Sequence, residues 1–567
     1  MDFRYKSLLE PVHQRAADAP ERPVLRYIAG KDSHTAISAE RFRRDMLSAA
    51  AALQAAGIEK GDVVVLVLRQ SWDLVAAIYG AMALGAIPSV FTYLSARLNL
   101  KSYLQRVRQL VEQADARVVV TLPDHVVQMD GVLAELDCRA LSISALSCAA
   151  NEPDRQVELP AIAADDIALL QYSSGTTGLQ KGVIFTHRKV LEQIRALSGP
   201  SSMDMSAEDV IVTWLPLHHD MGLIANLLCS VVADVPLVMM SPMMWMRRPI
   251  LMLEAIEKYN GSIVTMPNFG FNHMARMIRA EALANLRLER LRLMISGGEP
   301  ARQDTFEDFY QRFKGCGVRR EIFMVGYGMA EAVCGISCTP AGVVPRVDWI
   351  DTAAMQNEGR SVPAEPDGPG SLSVVSCGRL FPGLVAKIVD DHGEPLGERQ
   401  IGELVVKGDF VFDGYYRRPE LTDEVLKDGW LHTGDHGYMA DGELYICGRK
   451  KDMMIVGGKN VFPGDIEVIA NEVEGIRKGR VVAFGIVDDV KQTEAVVLVC
   501  ELARKLSEPE QKPIEKELRQ RIGETLDIAL FDVRFVGKGW VLKSSSGKLA
   551  RNGNRQKYLV QFQGVAE

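Results

Sequence analysis

The sequence predicts an α/β protein with a large, multi-layered N-terminal domain and a small α+β C-terminal domain. Short apolar runs recur along the first part, and the stretches between them are long enough for helices. The 567 residues exceed what one hydrophobic core normally holds, so at least two domains are expected. A basic tetrapeptide after a turn-rich stretch, at 448–451, marks the predicted boundary between domains 1–449 and 450–567.

Each predicted element follows from local composition, taken in chain order. The expected strands of the larger domain are the apolar runs at 63–68, 118–121, 167–171, 263–266 and 293–296. Helices are expected at 41–56, with its alanine-rich face, and at 251–259. Beyond the boundary, 481–487 and 495–501 are predicted strands, and 513–526 is a predicted helix. This alternation indicates layers of helix and sheet.

Composition excludes several classes of protein. Hydrophobic residues make up 47% and charged residues 24%, the balance of an ordinary globular protein. The formal charge of −8 argues against nucleic acid as the main partner. Nine cysteines without a CxxC pair, and an N-terminus without a signal-type apolar run, favour the reducing cytoplasm. The apolar stretch 222–240 contains Asn226, Asp234 and Pro236, so we expect a buried helix and strand and no transmembrane segment.

The segment 172–182 predicts a phosphate-binding loop. Directly after the apolar run at 167–171 come four hydroxyl residues, two glycines and a lysine: Ser173, Ser174, Gly175, Thr176, Thr177, Gly178 and Lys181. Glycines let backbone N–H groups approach an anion, while the hydroxyls and the ammonium add donors. Ligands of open α/β sheets bind at the carboxyl ends of strands, where this loop is expected. Gln180 before Lys181 and Gly182 after it disfavour a Walker A ATPase, and a flexible turn is the alternative on composition alone.

Four more motifs follow in order: YGMAE at 327–331, TGD at 433–435, GRKKD at 448–452 and KSSSGKLAR at 543–551. With the 172–182 loop, they resemble the adenylate-forming superfamily of acyl-CoA synthetases, luciferases and nonribosomal adenylation domains. The resemblance covers roughly residue 40 to the C-terminus, and five ordered motifs are far more specific than one. It implies that the small C-terminal domain is a mobile lid. Gln180 and Leu542 stand where the family usually has proline, and neither change removes a catalytic group.

The resemblance implies an ATP and Mg²⁺ site. Residues 173–178 and Lys181 would hold the β- and γ-phosphates, and Glu331 and Thr176 would serve the magnesium ion. Asp435 would bind the ribose hydroxyls, with Arg449 donating to the same region. Two turns and their neighbours would enclose the adenine: Gly297, Gly298, Glu299, Pro300, Gly326, Tyr327, Gly328, Met329 and Ala330.

Three further residues complete the implied catalytic set. Lys548 matches the mobile lysine that meets the carboxylate and the α-phosphate, and Lys451 matches the hinge. His219 would lie beside the substrate carboxylate. Metal ligation by 218–220 is the alternative, although no HxxxH or HxxE spacing accompanies these residues.

The finer resemblance is to the fatty acyl-AMP ligases, through 214–223, 267–269, 327–332 and 375–378. It implies an acyl pocket built from Trp214, Met221, Asn268 and Phe269. The methionine-rich stretch 239–246, with Met239, Met240, Met243, Met244, Trp245 and Met246, is a second candidate lining or plain core.

That subgroup has an insertion after the glutamate motif, where 340–372 holds five prolines and four glycines in this chain. So much length without regular structure indicates a functional insertion or a surface loop. The resemblance implies that it restrains the C-terminal domain, so that an acyl carrier protein rather than CoA accepts the acyl group. A fatty acyl-CoA synthetase, or an enzyme adenylating an aryl or amino acid, is the alternative.

The C-terminal stretch 533–566 has no Asp or Glu but seven basic residues. It could attract an acidic carrier protein, with Arg551, Arg555 and Lys557 as contacts, or it could be a solvated basic face.

Overall fold

The computed structural model describes residues 4–30, 33–93, 100–148, 158–172, 181–456, 459–488, 493–544 and 547–563. The α-helices are α1 Glu10–Asp18, α2 Ala39–Ala55, α3 Trp72–Ala83, α4 Leu100–Ala114, α5 Val126–Leu133, α6 Ile143–Cys148, α7 His187–Ser198, α8 Cys229–Val232, α9 Pro242–Arg247, α10 Ile250–Tyr259, α11 Asn268–Met277, α12 Gln303–Phe313, α13 Thr352–Glu358, α14 Pro419–Val425, α15 Pro463–Glu472, α16 Glu508–Leu526 and α17 Arg551–Gln563. A π-helix, Met221–Leu228, precedes α8.

The strands are β1 Pro23–Ile28, β2 His34–Ser38, β3 Val63–Val67, β4 Ile87–Val90, β5 Ala116–Thr121, β6 Arg139–Ser142, β7 Ile167–Tyr172, β8 Gly182–Thr186, β9 Ile211–Thr213, β10 Leu237–Met240, β11 Ile263–Met266, β12 Leu293–Ser296, β13 Phe323–Tyr327, β14 Ser337–Cys338, β15 Val347–Asp351, β16 Ser371–Val375, β17 Arg379–Leu380, β18 Leu384–Val389, β19 Gly402–Gly408, β20 Leu426–Lys427, β21 Trp430–Ala440, β22 Glu443–Arg449, β23 Met454–Val456, β24 Lys459–Val461, β25 Ile476–Asp488, β26 Thr493–Leu502 and β27 Leu530–Val536.

Two sheets form the frame of the large domain. The larger has the order β17-β14-β13-β12-β11-β9-β10-β1-β2, and its strands from β13 to β1 are parallel. The smaller, β4-β3-β5-β6, is parallel throughout. Parallel strands covered on both faces are apolar along their whole length, which explains the uninterrupted runs in the sequence.

Helices cover both sheets, so the large domain has five layers in the order α, β, α, β, α. One core lies between the two sheets and contains α2, α3, α7 and the π-helix. A second core packs α10, α11 and α12 on the far face of the nine-stranded sheet. A third packs α4 and α5 on the far face of the four-stranded sheet. The predicted α/β class is therefore confirmed.

Short side chains allow the central helices to approach closely. The Ser38 hydroxyl accepts from the Arg41 backbone N–H and caps α2 at its start. A β-carbon on Gly80 of α3 would lie 2.5 Å from Cβ of Ala49 on α2, so only glycine fits there. This contact explains the alanine-rich face predicted for the 41–56 helix.

The antiparallel strands β18, β19, β21, β20 and β22 form a sheet that leads to the small domain. Beyond it, β25, β26 and β27 pack against α15, α16 and α17 in two cores whose members all lie after residue 453. The small domain is therefore α+β.

Three predictions about elements were wrong in part. Residues 340–372 are not structureless, because β15 pairs antiparallel with β16 and α13 follows β15. The strand at 167–172 pairs antiparallel with β8, so it is not a strand of a parallel sheet as expected. Helix α16 begins at Glu508 rather than at 513, because a capping box of Ser507 and Glu510 fixes an earlier start.

The apolar stretch 222–240 is buried as predicted, forming the π-helix, α8 and β10. In the described ranges, no helix combines the length and apolar character that a bilayer crossing requires.

Candidate active site

A cavity of about 2250 Å³ lies between the large and small domains. The large domain lines it with the ends of β12 and β13, the start of the π-helix and part of β21. The small domain lines it with Lys543, Ser544, Lys548 and Leu549 and with α15 and α17. Most of the predicted site residues that the structure describes meet here.

One wall holds a polar triad of Tyr327, Asp435 and Arg449, joined by one hydrogen bond and one ion pair. The Tyr327 hydroxyl donates to Asp435 Oδ2 at 2.7 Å, and Arg449 Nε lies 3.2 Å from Asp435 Oδ1. The antiparallel register places Asp435 opposite Arg449, so the sheet itself fixes this pair. Burial, and then the Asp435 carboxylate, raise the pKa of Tyr327. A sugar diol could bind the carboxylate oxygens beside an aromatic ring.

The turn 297–300 lies beside the end of β13, because β12 and β13 are parallel neighbours. A β-carbon on Gly297 would lie 3.4 Å from the Gly326 carbonyl oxygen. Glu299 turns inward, where its Oε2 accepts from the Phe269 backbone N–H at 3.0 Å. Burial raises the pKa of Glu299, against the opposing charges of Lys543 and Lys548. The turn therefore brings a carboxyl group close to two lysines of the small domain.

Glu331 follows β13 on a 3₁₀ turn, Ala330–Ala332. Its Oε1 accepts a hydrogen bond from the Tyr415 hydroxyl at 2.7 Å. Burial is the larger cause that raises the pKa of Tyr415, and the negative charge of Glu331 is the second. Lys181 Nζ lies 4.6 Å from the centre of the Tyr415 ring. Tyr415 thus connects two predicted catalytic residues, and no local motif pointed to it.

The backbone around Glu331 is tightly constrained. Val333 has φ 61° and ψ −51°, a region that β-branched residues rarely adopt and that costs about 1–3 kcal/mol. A β-carbon on Gly328 would lie 1.9 Å from the Cys334 carbonyl oxygen, so the chain folds directly onto itself. The surrounding core must hold this strained turn in place.

Lys548 enters the cavity from the small domain. Its Cε lies 3.9 Å from the position of a β-carbon on Gly298. Burial, and then the Lys548 charge, lower the pKa of His219 to about 4, which keeps the imidazole neutral at pH 7. Burial raises the pKa of Asp220, against the Lys548 ammonium. The predicted lysine and histidine are therefore neighbours.

His219 Nε2 is buried and has no hydrogen-bond partner within the described ranges. His219 lines the cavity, whereas His218 does not. An orphaned imidazole nitrogen on a cavity wall is suited to a polar group of a ligand. In the part of the chain that the structure describes, no three His, Cys, Asp or Glu side chains are grouped to hold a metal ion, so the alternative of a metal site at 218–220 gains no support.

An aromatic cluster lies behind Phe269. Trp214 and Trp245 stack with ring centres 3.7 Å apart and an interplanar angle of 3°. Phe269 meets Trp214 edge-on at 5.9 Å, and a β-carbon on Gly547 would lie 3.0 Å from the Phe269 ring. Asn268 donates from Nδ2 to Thr305 Oγ1 at 3.2 Å. Of the four predicted acyl-pocket residues, Met221, Asn268 and Phe269 line the cavity, and Trp214 lies behind it.

The methionine stretch 239–246 does not form a shared lining. Met239 and Met240 are fully buried on opposite faces of β10, because successive strand residues point to opposite sides. Met243 and Met246 are exposed on α9. Of this stretch, Met246 alone reaches the cavity within the described ranges. The prediction of a methionine-lined pocket was therefore wrong for most of its members.

A deep apolar arm of the cavity was missed by sequence reasoning. It is lined by side chains of the core between the two sheets: Leu197, Met203, Ala225, Ile295, Met324, Cys338 and Phe381. These residues come from separate elements and share no local pattern. Only the fold brings them together.

The basic C-terminal stretch is largely committed to internal contacts. Arg551 Nη1 lies 2.8 Å from Asp452 Oδ2, and Nη2 lies 2.7 Å from Glu467 Oε1. Lys557 Nζ donates to the Trp540 carbonyl at 2.8 Å. Arg555 lines the cavity. Because these groups already have partners or face inward, the predicted docking of a carrier protein on them is not supported.

The predicted phosphate loop, with Ser173, Ser174, Gly175, Thr176, Thr177 and Gly178, lies outside the described residues. Lys451 lies on a 3₁₀ turn, Lys450–Asp452, between β22 and β23.

A five-layered α/β domain and a small α+β domain, with a lysine of the second in the cavity between them, define an adenylate-forming enzyme, an ATP-dependent ligase. The chain belongs to the AMP-binding enzyme family, whose sequence model matches residues 12–416.

Individual relatives agree with this family. A Caulobacter vibrioides protein with the provisional name of acyl-CoA synthetase is 30% identical, over 92% of this chain and 90% of its own length. JamA of Moorena producens, a medium-chain fatty acid ligase that acts on acyl carrier protein, is 29% identical over 88% of this chain and 86% of its own. A structure from a study of fatty acyl-adenylate ligases of E. coli and L. pneumophila aligns with this chain over the full length of both proteins, with a TM-score of 0.91 and 25% identity.

Proposed function

We propose that this enzyme activates a medium- or long-chain fatty acid with ATP and passes the acyl group to an acyl carrier protein. A carboxylate oxygen attacks the α-phosphorus of ATP, the bond to pyrophosphate breaks, and acyl-AMP forms. The phosphopantetheine sulfur then attacks the acyl carbonyl carbon, AMP leaves, and the thiol proton is released. The observation that carries the proposal is Lys548 beside His219 and Gly298, at the meeting point of the triad wall and the apolar arm.

Each predicted residue has a role in this scheme. Lys548 stabilises negative charge that develops during attack, because a preorganised ammonium in a water-poor site acts strongly on a transition state. Neutral His219 hydrogen-bonds the fatty acid carboxylate through the nitrogen that has no partner. Asp435 binds the ribose with Arg449 beside it, Tyr327 stacks on the adenine, and the 297–300 turn encloses that ring.

The remaining roles concern phosphates and metal. Lys181 and the 173–178 loop hold the β- and γ-phosphates. Glu331 suits a magnesium ion, because its carboxylate lines the cavity and is held at one oxygen by Tyr415. Magnesium, with Thr176 as a second ligand, would neutralise phosphate charge when bound. Within this chain, Tyr415 orients the Glu331 carboxylate for that purpose.

The 340–372 segment favours a carrier protein over CoA. The Thr352 hydroxyl lies 2.7 Å from the Thr525 carbonyl oxygen and 2.8 Å from the Gly370 carbonyl oxygen, and Gln356 Nε2 donates to the Leu526 carbonyl at 2.9 Å. Phe462 of the small domain packs into the core under this segment. We infer that α13 holds the small domain, whose boundary lies at 449/450, and limits its rotation about Lys451.

A fatty-acid panel tests the proposal. The enzyme is incubated with ATP, magnesium and fatty acids of several lengths, without acceptor, with CoA and with holo carrier protein. Acyl-AMP and pyrophosphate are expected in all three samples, and thioester mainly with the carrier. Absence of acyl-AMP with every acid would refute the proposal.

A fatty acyl-CoA synthetase is the second candidate, because the Caulobacter vibrioides relative has that name. Rapid conversion of acyl-AMP to acyl-CoA by the unmodified enzyme would favour it.

A further inference from the structure

An exposed patch of methionines and arginines borders the cavity at Met246, Arg276 and Met277. We call it the Met-Arg rim, and its members are Met243, Met246, Arg247 and Arg248 around α9 and Arg276, Met277 and Arg279 around α11. The three methionines are 56%, 41% and 56% exposed. Exposed methionines grouped together are typical of surfaces that contact a partner.

The two halves of the rim form one surface. His273 Nε2 lies 3.0 Å from the Met246 carbonyl oxygen, and the rings of His273 and Trp245 are 5.0 Å apart. On α9, Met243 and Met246 are three residues apart and share a face, as do His273 and Met277 on α11.

The rim is strongly positive. The two segments that build it, 235–253 and 258–280, contain no Asp or Glu. All four arginines are exposed, and among the described residues none of them forms an ion pair. Arg302, nearby on the cavity wall, contrasts with them because it is paired with Asp304 at 3.2 Å. Unpaired guanidinium groups on a surface favour an anionic partner.

The rim opens onto the reacting centre. Met246, His273, Arg276 and Met277 line the same cavity as Lys548. Phe269 lies between these rim residues and Lys548. Gly547, next to Lys548, contacts one side of the Phe269 ring, and the ring centre of Trp245 is 6.2 Å away on the other side.

The rim also lies away from the acyl arm. Trp245 and the residues behind the rim belong to the core on the outer face of the nine-stranded sheet. The apolar arm belongs to the core on the opposite face. An acyl chain bound in the apolar arm, and not at Asn268 and Phe269, leaves this opening free for a second substrate.

We propose that the Met-Arg rim is the docking surface for an acidic acyl carrier protein, whose phosphopantetheine arm enters the cavity past Met246 and His273. The arginines attract the acidic surface of the carrier, and the flexible methionines pack against its apolar residues. This inference rests on the proposed function, because it assumes a carrier as acceptor. It replaces the C-terminal stretch, where Arg551 and Lys557 already have partners and Arg555 lines the cavity.

The test reverses two charges outside the cavity lining. Arg247→Glu/Arg248→Glu is compared with wild type and with a matched control, Arg319→Glu/Arg379→Glu, two exposed arginines outside the rim. Pyrophosphate release without acceptor and acyl transfer to holo carrier proteins of the source organism are measured at low and high salt. Binding to phosphatidylglycerol vesicles is measured in parallel.

The rim variant is expected to transfer acyl groups at least tenfold more slowly at low salt, with pyrophosphate release unchanged and little remaining salt dependence. The control should resemble wild type. Normal transfer by the rim variant would refute the docking surface. If transfer is normal but vesicle binding is lost, the rim is a lipid-binding surface and the proposal is equally refuted. If wild-type enzyme forms acyl-AMP but no carrier accepts it, the proposed acceptor fails, and this inference fails with it.

A second variant addresses the apolar contacts. Met243→Ser/Met277→Ser keeps all four arginines and should slow transfer mainly at high salt, where attraction between charges is screened. Equal rates for this variant and wild type at high salt would contradict the packing role.

Discussion

Lys548 connects the two domains through one charged side chain. Lys548→Ala should lower acyl-AMP formation by roughly 100-fold or more, because a preorganised charge at the reacting phosphate is lost. Pyrophosphate release with saturating ATP and fatty acid measures the effect. Lys505→Ala, which removes an exposed lysine of the same domain, is the control. Equal rates for Lys548→Ala and wild type would exclude the role.

His187 makes the fold sensitive to acid. It is 2% exposed, its Nδ1 accepts from the Leu8 backbone N–H at 3.2 Å, and burial lowers its pKa from 6.5 to about 4, against the charge of Asp166. The native state therefore binds fewer protons than the unfolded state below pH 6.5. The stability from this group is complete above that pH and is lost as pH falls towards 4.

The expected loss between pH 8 and pH 5 is about 2 kcal/mol for this histidine. His187→Asn keeps an acceptor near Nδ1 and removes the titration. Urea denaturation midpoints at both pH values should therefore differ less in the variant than in wild type. An identical pH dependence in the two proteins would show that His187 does not titrate as described.

At the residue scale, the order of the motifs predicted contacts that local composition did not predict. The structure brings Tyr327, Asp435 and Arg449 together, as the resemblance implied, although over a hundred positions separate the tyrosine from its partner. Tyr415 and the Trp214–Trp245 stack were not anticipated, because nothing local distinguishes them from ordinary aromatic residues.

The proposed restraint of the small domain by helix α13 can be tested through its contacts with α16. Thr352→Ala/Gln356→Ala removes both side-chain contacts with α16. Each contributes at most about 1 kcal/mol, because the single Thr352 hydroxyl proton is shared between the Thr525 and Gly370 carbonyls. A change of about 2 kcal/mol shifts a two-state equilibrium by up to roughly 30-fold. Acyl-CoA yield should therefore rise, while acyl-AMP formation stays nearly constant.

Thioester formation with CoA is measured against Asn357→Ala, an exposed α13 residue that should leave the yield unchanged. If the double variant makes no more acyl-CoA than this control, α13 does not limit CoA use.

Element prediction failed where pairing is distant. Residues 347–351 form a strand because 371–375 lie opposite them, and prolines and glycines between the two hide this from local composition. Strands β11 and β12 were predicted with their full bounds, because buried parallel strands are apolar along their whole length.

At the scale of the whole molecule, the apolar arm of the cavity lies behind the reacting centre. Each added methylene should contribute at most about 0.8 kcal/mol, so four more carbons could raise kcat/KM by up to roughly 100-fold. Rates from butyrate to dodecanoate measure this gain. A flat response would exclude an apolar arm.

Ala225→Phe fills that arm from the π-helix. It should reduce activity on long acids and spare short ones, and the retained short-chain activity shows that the variant folds. Unchanged preference would place the acyl chain elsewhere.

At this scale, apolar runs predicted the layers, since buried strands and helices must alternate along a chain of this kind. The approach of Lys548 to Gly298 could not follow from local composition, because 250 positions separate them. Only the order of the motifs suggested it.

The stacked indoles of Trp214 and Trp245 give the molecule an optical signal of its own. Two parallel rings 3.7 Å apart couple electronically, and Phe269 joins them to the turn that bears Lys548. If the small domain rotates as we propose, Gly547 would leave the Phe269 edge and the surroundings of the pair would change. Near-ultraviolet circular dichroism could therefore follow the catalytic cycle in real time, without any attached dye.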